Sequence, residues 1–153
     1  MYPYRILNIV ADIQIAMAKL ILKRTSEFNN RMRGIEIFSN NDLLGKISNG
    51  ETKEFELDPG LNKITAKIDW CGSQAKELDL KDNETKILKV SGYKYGSVIP
   101  PIGLLISVIY LVLSFGFNIE FYSILILFPI VFLYPIYFIT LGKQKYLRIT
   151  EIS

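Results

Sequence analysis

The chain has no histidine and a single cysteine, Cys71, in 153 residues. Without imidazole there is no Ser-His-Asp or Cys-His nucleophilic arrangement, no imidazole general base and no His-containing metal site. One thiolate cannot build a cysteine zinc cluster, nor can it form the intramolecular disulfide on which small exported domains commonly depend. Gly-rich phosphate loops of Rossmann or Walker form are missing, and the glycines of the polar part stand singly at turns. Paired acids such as Glu54 and Glu56, or Glu77 and Asp79, fall on strand faces that should be solvated. These absences argue against an enzyme, so no catalytic residue, metal or cofactor is expected. The net charge of +3 is too small to argue for nucleic acid.

Charge itself is scarcest between Ser97 and Leu141, where Glu120 is the only charged side chain in 45 residues. The flanking stretches 97–117 and 121–141 each span about 31 Å if helical, enough to cross a bilayer. The triplet Asn118-Ile119-Glu120 between them leaves room for a tight turn, which predicts a transmembrane helical hairpin. Pro100 and Pro101 suit the first turn of the first helix, whereas Pro129 and Pro135 should bend the second. Gly103 and Ser107 make a small-residue face toward the second span or another copy, so a homo-oligomer stays open. Lys86, Lys89 and Lys94 precede the first span, and Lys143, Lys145 and Arg148 follow the second. By the positive-inside rule both termini are cytoplasmic, with the Asn118 to Glu120 turn outside. Tyr93, Tyr95, Tyr122 and Tyr146 lie near the expected interfaces as an aromatic belt.

At the N-terminus, Arg5, an apolar stretch and Ala16-Met17-Ala18 imitate a signal peptide, but Asn8, Asp12 and Gln14 interrupt its core. Arg5 to Arg24 reads better as an amphipathic helix. On a helical wheel Arg5, Asn8, Asp12, Lys19 and Lys23 form a narrow polar stripe opposite Ile6, Ile9, Val10, Ile13, Met17, Leu20 and Ile21. Such a helix either lies in the headgroup region, with Arg5, Lys19, Lys23 and Arg24 as membrane-surface residues, or packs on the rest of the protein.

From Arg31 the period becomes two. Ile35 and Ile37, Phe55 and Leu57, Ile64 to Trp70, and Leu78 and Leu80 alternate with charged neighbours. Turn chemistry separates them at Asn40-Asn41-Asp42, Asn49-Gly50, Asp58-Pro59-Gly60, Gly72-Ser73 and Asp82-Asn83. Six strands follow, near 33–39, 43–48, 52–57, 62–70, 75–80 and 85–91, as an antiparallel sandwich. Its best-defined hairpin turns at Asp58 to Leu61, pairing Glu56 with Lys63 and Phe55 with Ile64. Trp70, Phe55 and Phe38 should supply much of the core, although an exposed Trp70 would stack on a ligand or the membrane interface. Cys71 reads as a structural turn residue beside Gly72.

The run Ile35 to Val90, with Leu44-Gly45-Lys46, Asn49-Gly50-Glu51, Leu57-Asp58-Pro59-Gly60 and Trp70-Cys71-Gly72-Ser73, resembles sandwich modules of PEGA type and their transthyretin-like relatives. With the apolar segment behind it, the layout resembles small uncharacterised bacterial membrane proteins. That resemblance implies a binding or structural accessory module without catalytic residues. The expected organisation is an α+β membrane protein: an amphipathic helix and linker (1–30), a β-sandwich (31–92), two transmembrane helices (97–117 and 121–141) and a basic cytoplasmic tail (142–153). Its expected partners are the bilayer and another protein. A membrane-anchored sensor of ligand or lipid is the alternative.

Overall fold

Burial alternates along residues 18–24, and that alternation decides the architecture. In the computed structural model, which describes residues 17–117 and 127–152, Ala18, Leu20, Leu22 and Arg24 are buried while Lys19 and Lys23 are exposed. This is a strand, β1 (Ala18–Arg24). There follow β2 (Ile35–Ser39), β3 (Asp42–Ile47), β4 (Thr52–Leu57), β5 (Gly60–Ile68), the short β6 (Cys71–Gly72), β7 (Lys76–Leu80) and β8 (Thr85–Ser91). Helix α1 (Ile99–Leu111) continues into a π-helical turn, Val112–Gly116. Helix α2 (Leu127–Ile139), a 3-10 turn (Lys143–Lys145) and β9 (Arg148–Ile152) complete the described chain.

Two sheets share one core. The first has the order β4-β1-β8-β9, and the second runs β3-β2-β5, with β6 and β7 both pairing to β5. Leu20, Leu22, Leu88 and Val90 from the first meet Ile35, Ile37, Ile64 and Leu80 from the second, all essentially without solvent exposure. β1 is antiparallel to β4 and parallel to β8, so the first sheet is mixed.

The expected organisation therefore has to be corrected. Instead of an N-terminal helix, a six-stranded antiparallel sandwich and a two-helix hairpin, the described residues form nine strands in two sheets with two helices, of which Ile99–Gly116 is the stretch long and apolar enough to cross a membrane. Residues 18–24 are short enough to satisfy both a helical and an alternating pattern, and backbone pairing on both edges selects the strand. Arg5 and Asn118 to Glu120 lie outside the described residues. The end of the supposed basic tail is β9, which pairs with β8 from Ser91↔Arg148 to Ile87↔Ile152.

The Asp58 to Leu61 hairpin is also overturned. β4 pairs with β1, and β5 pairs with β2 and β7, so Asp58-Pro59 carries the chain from one sheet to the other. The buried amide of Asn62 braces this arch, donating to the carbonyls of Asp58 (2.9 Å) and Gly60 (3.1 Å), and Ser39 Oγ donates to Asn62 Oδ1 (3.1 Å). With 18–24 read as a helix, β4 had no partner except its sequence neighbour. Its true partner offers the same charge matching: Lys19 Nζ lies 3.1 Å from Glu54.

Aliphatic side chains, rather than aromatic rings, fill the core. Phe55 and Phe38 are half-buried, the latter with Lys67 Nζ 4.8 Å from its ring centre. Trp70 is 63% exposed, because β5 ends at Ile68 and Asp69 adopts a positive φ of 50°. Other turns follow local chemistry. Asn40 and Asn41, with φ of 50° and 78°, form a two-residue connection between Ser39 and Asp42, as a right-twisted hairpin requires.

At two turns a glutamate caps its own loop. Ser48 N donates to Glu51 Oε2 (2.5 Å), and Lys81 N donates to Glu84 Oε2 (2.9 Å). These backbone bonds hold Glu51 and Glu84 below the ordinary glutamate pKa of 4.5, and a hydrogen bond from Lys86 does the same for Glu151. A depressed folded-state pKa stabilises the fold above the unfolded value, and that contribution disappears as pH falls through the folded one. Stability should thus decline below about pH 4.5. Replacing Glu51 and Glu84 together by Gln should flatten the acid limb of a plot of denaturation midpoint against pH; an unchanged acid limb would show that these caps do not contribute. In denaturant titrations at neutral pH, Leu20→Ala should cost about 2–5 kcal/mol, and Ile21→Ala clearly less. Equal losses would contradict a strand at this position.

Candidate functional site at the joint between sheets and helices

The loop after β1 carries the densest polar network among the described residues, and Arg24 organises it. As the last residue of β1, Arg24 points inward, with its side chain under the loop. Nη1 donates to the carbonyls of Arg33 (2.7 Å) and Ile47 (3.0 Å), and Nη2 to that of Asn30 (2.6 Å). Burial lowers the Arg24 pKa, which Glu27 and Glu51 partly offset. Guanidinium nevertheless remains charged in proteins. The expectation of Arg24 at a membrane surface is therefore corrected: it is 4% exposed and clamps three carbonyls.

Glu27 ties this loop to the chain leaving β8. Its Oε1 accepts from Thr25 Oγ1 (2.8 Å) and from Gly92 N (2.7 Å), while Glu27 N donates to Asn49 Oδ1 (2.9 Å). Gly92 lets the two segments approach closely: a Cβ there would fall 2.6 Å from Glu27 Oε2, and the carboxylate would have to shift to admit it. Asn29 Nδ2 donates to the carbonyl of Gly96, and Tyr146 OH donates to Asn30 Oδ1 (2.8 Å). One loop thus grips both ends of the helical segment.

Aromatic rings complete the joint. Tyr93 stacks on Phe138 of α2 with ring centres 4.7 Å apart and also meets Tyr146 at 5.2 Å and Tyr134 at 5.9 Å. Tyr134 OH donates to the carbonyl of Lys94. Burial raises the pKa of Tyr93 and Tyr146, keeping both phenols neutral. Of the expected belt, Tyr93 and Tyr146 pack inside this joint, Tyr95 is exposed and Tyr122 lies outside the described residues. Gly103 of α1 packs against Val131 of α2, where an added Cβ would come within 2.2 Å of Val131 Cγ1. Ser107 Oγ donates within its own helix to the Gly103 carbonyl (2.8 Å).

The remaining residues singled out from sequence do not converge. Lys19 pairs with Glu54 on the outer face, and Lys23 is exposed four residues further on. Trp70 lies in a shallow depression with Arg33, Asp69, Cys71, Ile139 and Tyr146, next to the end of α2. Cys71 is buried, and desolvation raises its thiol pKa, which disfavours the reactive thiolate. Among the described residues no group of three or more His, Cys, Asp or Glu is placed to hold a metal. The joint's polar atoms are committed to one another, so its chemistry is mechanical coupling. Sequence reading missed Arg24, Glu27 and Asn30 as a network; the one signal was the polar run Ser26-Glu27-Phe28-Asn29-Asn30-Arg31 before a strand.

Compared with known proteins, the chain matches no family model and no curated protein sequence. Arg24→Leu leaves three carbonyls without their charged donor and should cost about 3 kcal/mol or more, whereas Lys23→Leu should stay within about 0.5 kcal/mol. Chemical denaturation of the detergent-solubilised protein separates the two, and similar values would refute the clamp.

Proposed function

We propose that this chain is a non-enzymatic, membrane-anchored β domain that serves as a protein-interaction or structural accessory module. The observation that carries the reading is the placement of the apolar segment between two paired neighbours, β8 and β9, with Ser91 opposite Arg148. A segment whose two ends return to adjacent strands must leave and re-enter on the same side of a bilayer. With basic residues at both ends, that side is the cytoplasmic one, so both termini are cytoplasmic and Asn118 to Glu120 lies outside. The resemblance of Ile35 to Val90 to PEGA-type modules belongs to the same reading.

Partner binding has a physical mode in strand addition. β3 and β4 are edge strands, and β3 carries Leu43 at 61% exposure. Unpaired edge groups accept a partner's backbone, and exposed side chains beside them select its sequence. A sensor acting through an amphipathic Arg5 to Arg24 helix has no helix at 18–24 to work with.

Thiol labelling in intact cells tests the anchoring. With Cys71 replaced by Ser and single cysteines placed at Asn40, Asn118 or Ser153, only the Asn118 position should react with an impermeant maleimide; labelling at Asn40 or Ser153 would overturn the orientation. For the partner, a photo-crosslinking residue at Leu43 should give a discrete adduct that is absent when the same residue stands at Asp82. Indistinguishable patterns would remove strand addition at β3.

A further inference from the structure

Where the chain leaves α2 and re-enters the first sheet, a groove of about 380 Å³ lies between the start of β7 and β9. Lys76, Lys94, Lys145 and Arg148 line it together with Phe138, and no acid does. Lys76 is held by Glu151 at 3.5 Å. Lys94 rests over the ring of Tyr95, 4.9 Å from its centre, and among the described residues neither it nor Lys145 nor Arg148 takes part in an ion pair. Three uncompensated cations around one concavity repel one another unless an anion sits among them.

The position of the groove decides which anion. Lys94 lies five residues before the apolar stretch Ile99–Gly116, and Phe138 is the penultimate residue of α2. If the helices enter a bilayer, the groove sits at headgroup depth, with its cations at the level of the phosphate layer and the half-buried ring of Phe138, stacked on Tyr93, as an apolar wall on the side of α2. A soluble anion would gain nothing from Phe138. We propose that this groove binds the phosphate of an anionic phospholipid, with Lys145 and Arg148 as principal ligands and Lys94 swinging from Tyr95 to close over it. The bound headgroup would hold the β domain at a set height on the membrane. This inference rests on the anchoring proposed above.

The test uses the full chain purified in mild detergent, with bound lipid counted by native mass spectrometry during titration with phosphatidylglycerol or phosphatidylcholine. Wild-type protein should prefer phosphatidylglycerol by about tenfold or more. Lys145→Gln with Arg148→Gln should abolish the preference, whereas Lys53→Gln with Lys63→Gln, the same charge change on β4 and β5, should preserve it. Both pairs are exposed, and unchanged thermal unfolding verifies that the variants fold. A preference that survives the first pair, or falls equally with the second, overturns the site. Displacement of the lipid by millimolar inorganic phosphate would mark a free-anion site and overturn the lipid assignment. Alkaline carbonate extraction of cell membranes separates the two levels: a chain that stays in the pellet yet shows no lipid preference fails only here, while a chain released to the supernatant fails at the anchoring as well.

Discussion

Strand β1 is hydrogen-bonded on both edges, antiparallel to β4 and parallel to β8, and the remainder of the molecule is arranged around that double pairing. Its inward residues Ala18, Leu20 and Leu22 have no solvent exposure and face the second sheet. Removing β1 from this position would leave β4 without a partner and β8 with β9 alone. The same strand ends in Arg24, whose guanidinium fixes the loop that grips the helical segment. One seven-residue strand therefore couples the sheet, the core and the joint.

Polar groups are buried at the joint only because each has a partner. Among the described residues no buried side-chain nitrogen or oxygen lacks a hydrogen bond. An unsatisfied group in that environment costs about 1–3 kcal/mol, so the network holds together as a unit. Glu27 and Asn30 reach the segments that enter and leave the helices, and Tyr93 stacks directly on α2. A displacement of α2 relative to the sheets would have to break several of these contacts together. Such coupling suits a module whose β domain is held in a defined position relative to its apolar segment, as the proposed anchoring and headgroup contact both require.

Local features of the fold were legible because they depend on nearby residues. Asn40-Asn41 makes a tight turn whatever surrounds it, since both residues tolerate positive φ. β4 and β8 occupy 52–57 and 85–91 as expected, through alternation of apolar and charged side chains. Pairing between strands distant in sequence was not legible. Leu20-Ile21-Leu22 has no feature that names Phe55 or Leu88 as its neighbours, and Arg148 to Ile152 read as a tail because its partner lies 61 residues upstream at Ile87 to Ser91. Trp70 looked like the largest core residue by size, but strand β5 stops two residues before it.

By itself the sequence determined where the chain turns, which segments alternate, and that an apolar stretch without basic residues follows them; these properties arise from backbone preferences and side-chain solvation within a few residues. The tertiary structure alone decided that β1 is a strand, that β4 and β5 belong to different sheets, and that Arg24 is buried while Trp70 is not. Each of those outcomes depends on which distant backbone groups are available to pair, and that is settled only when the whole chain has found its partners.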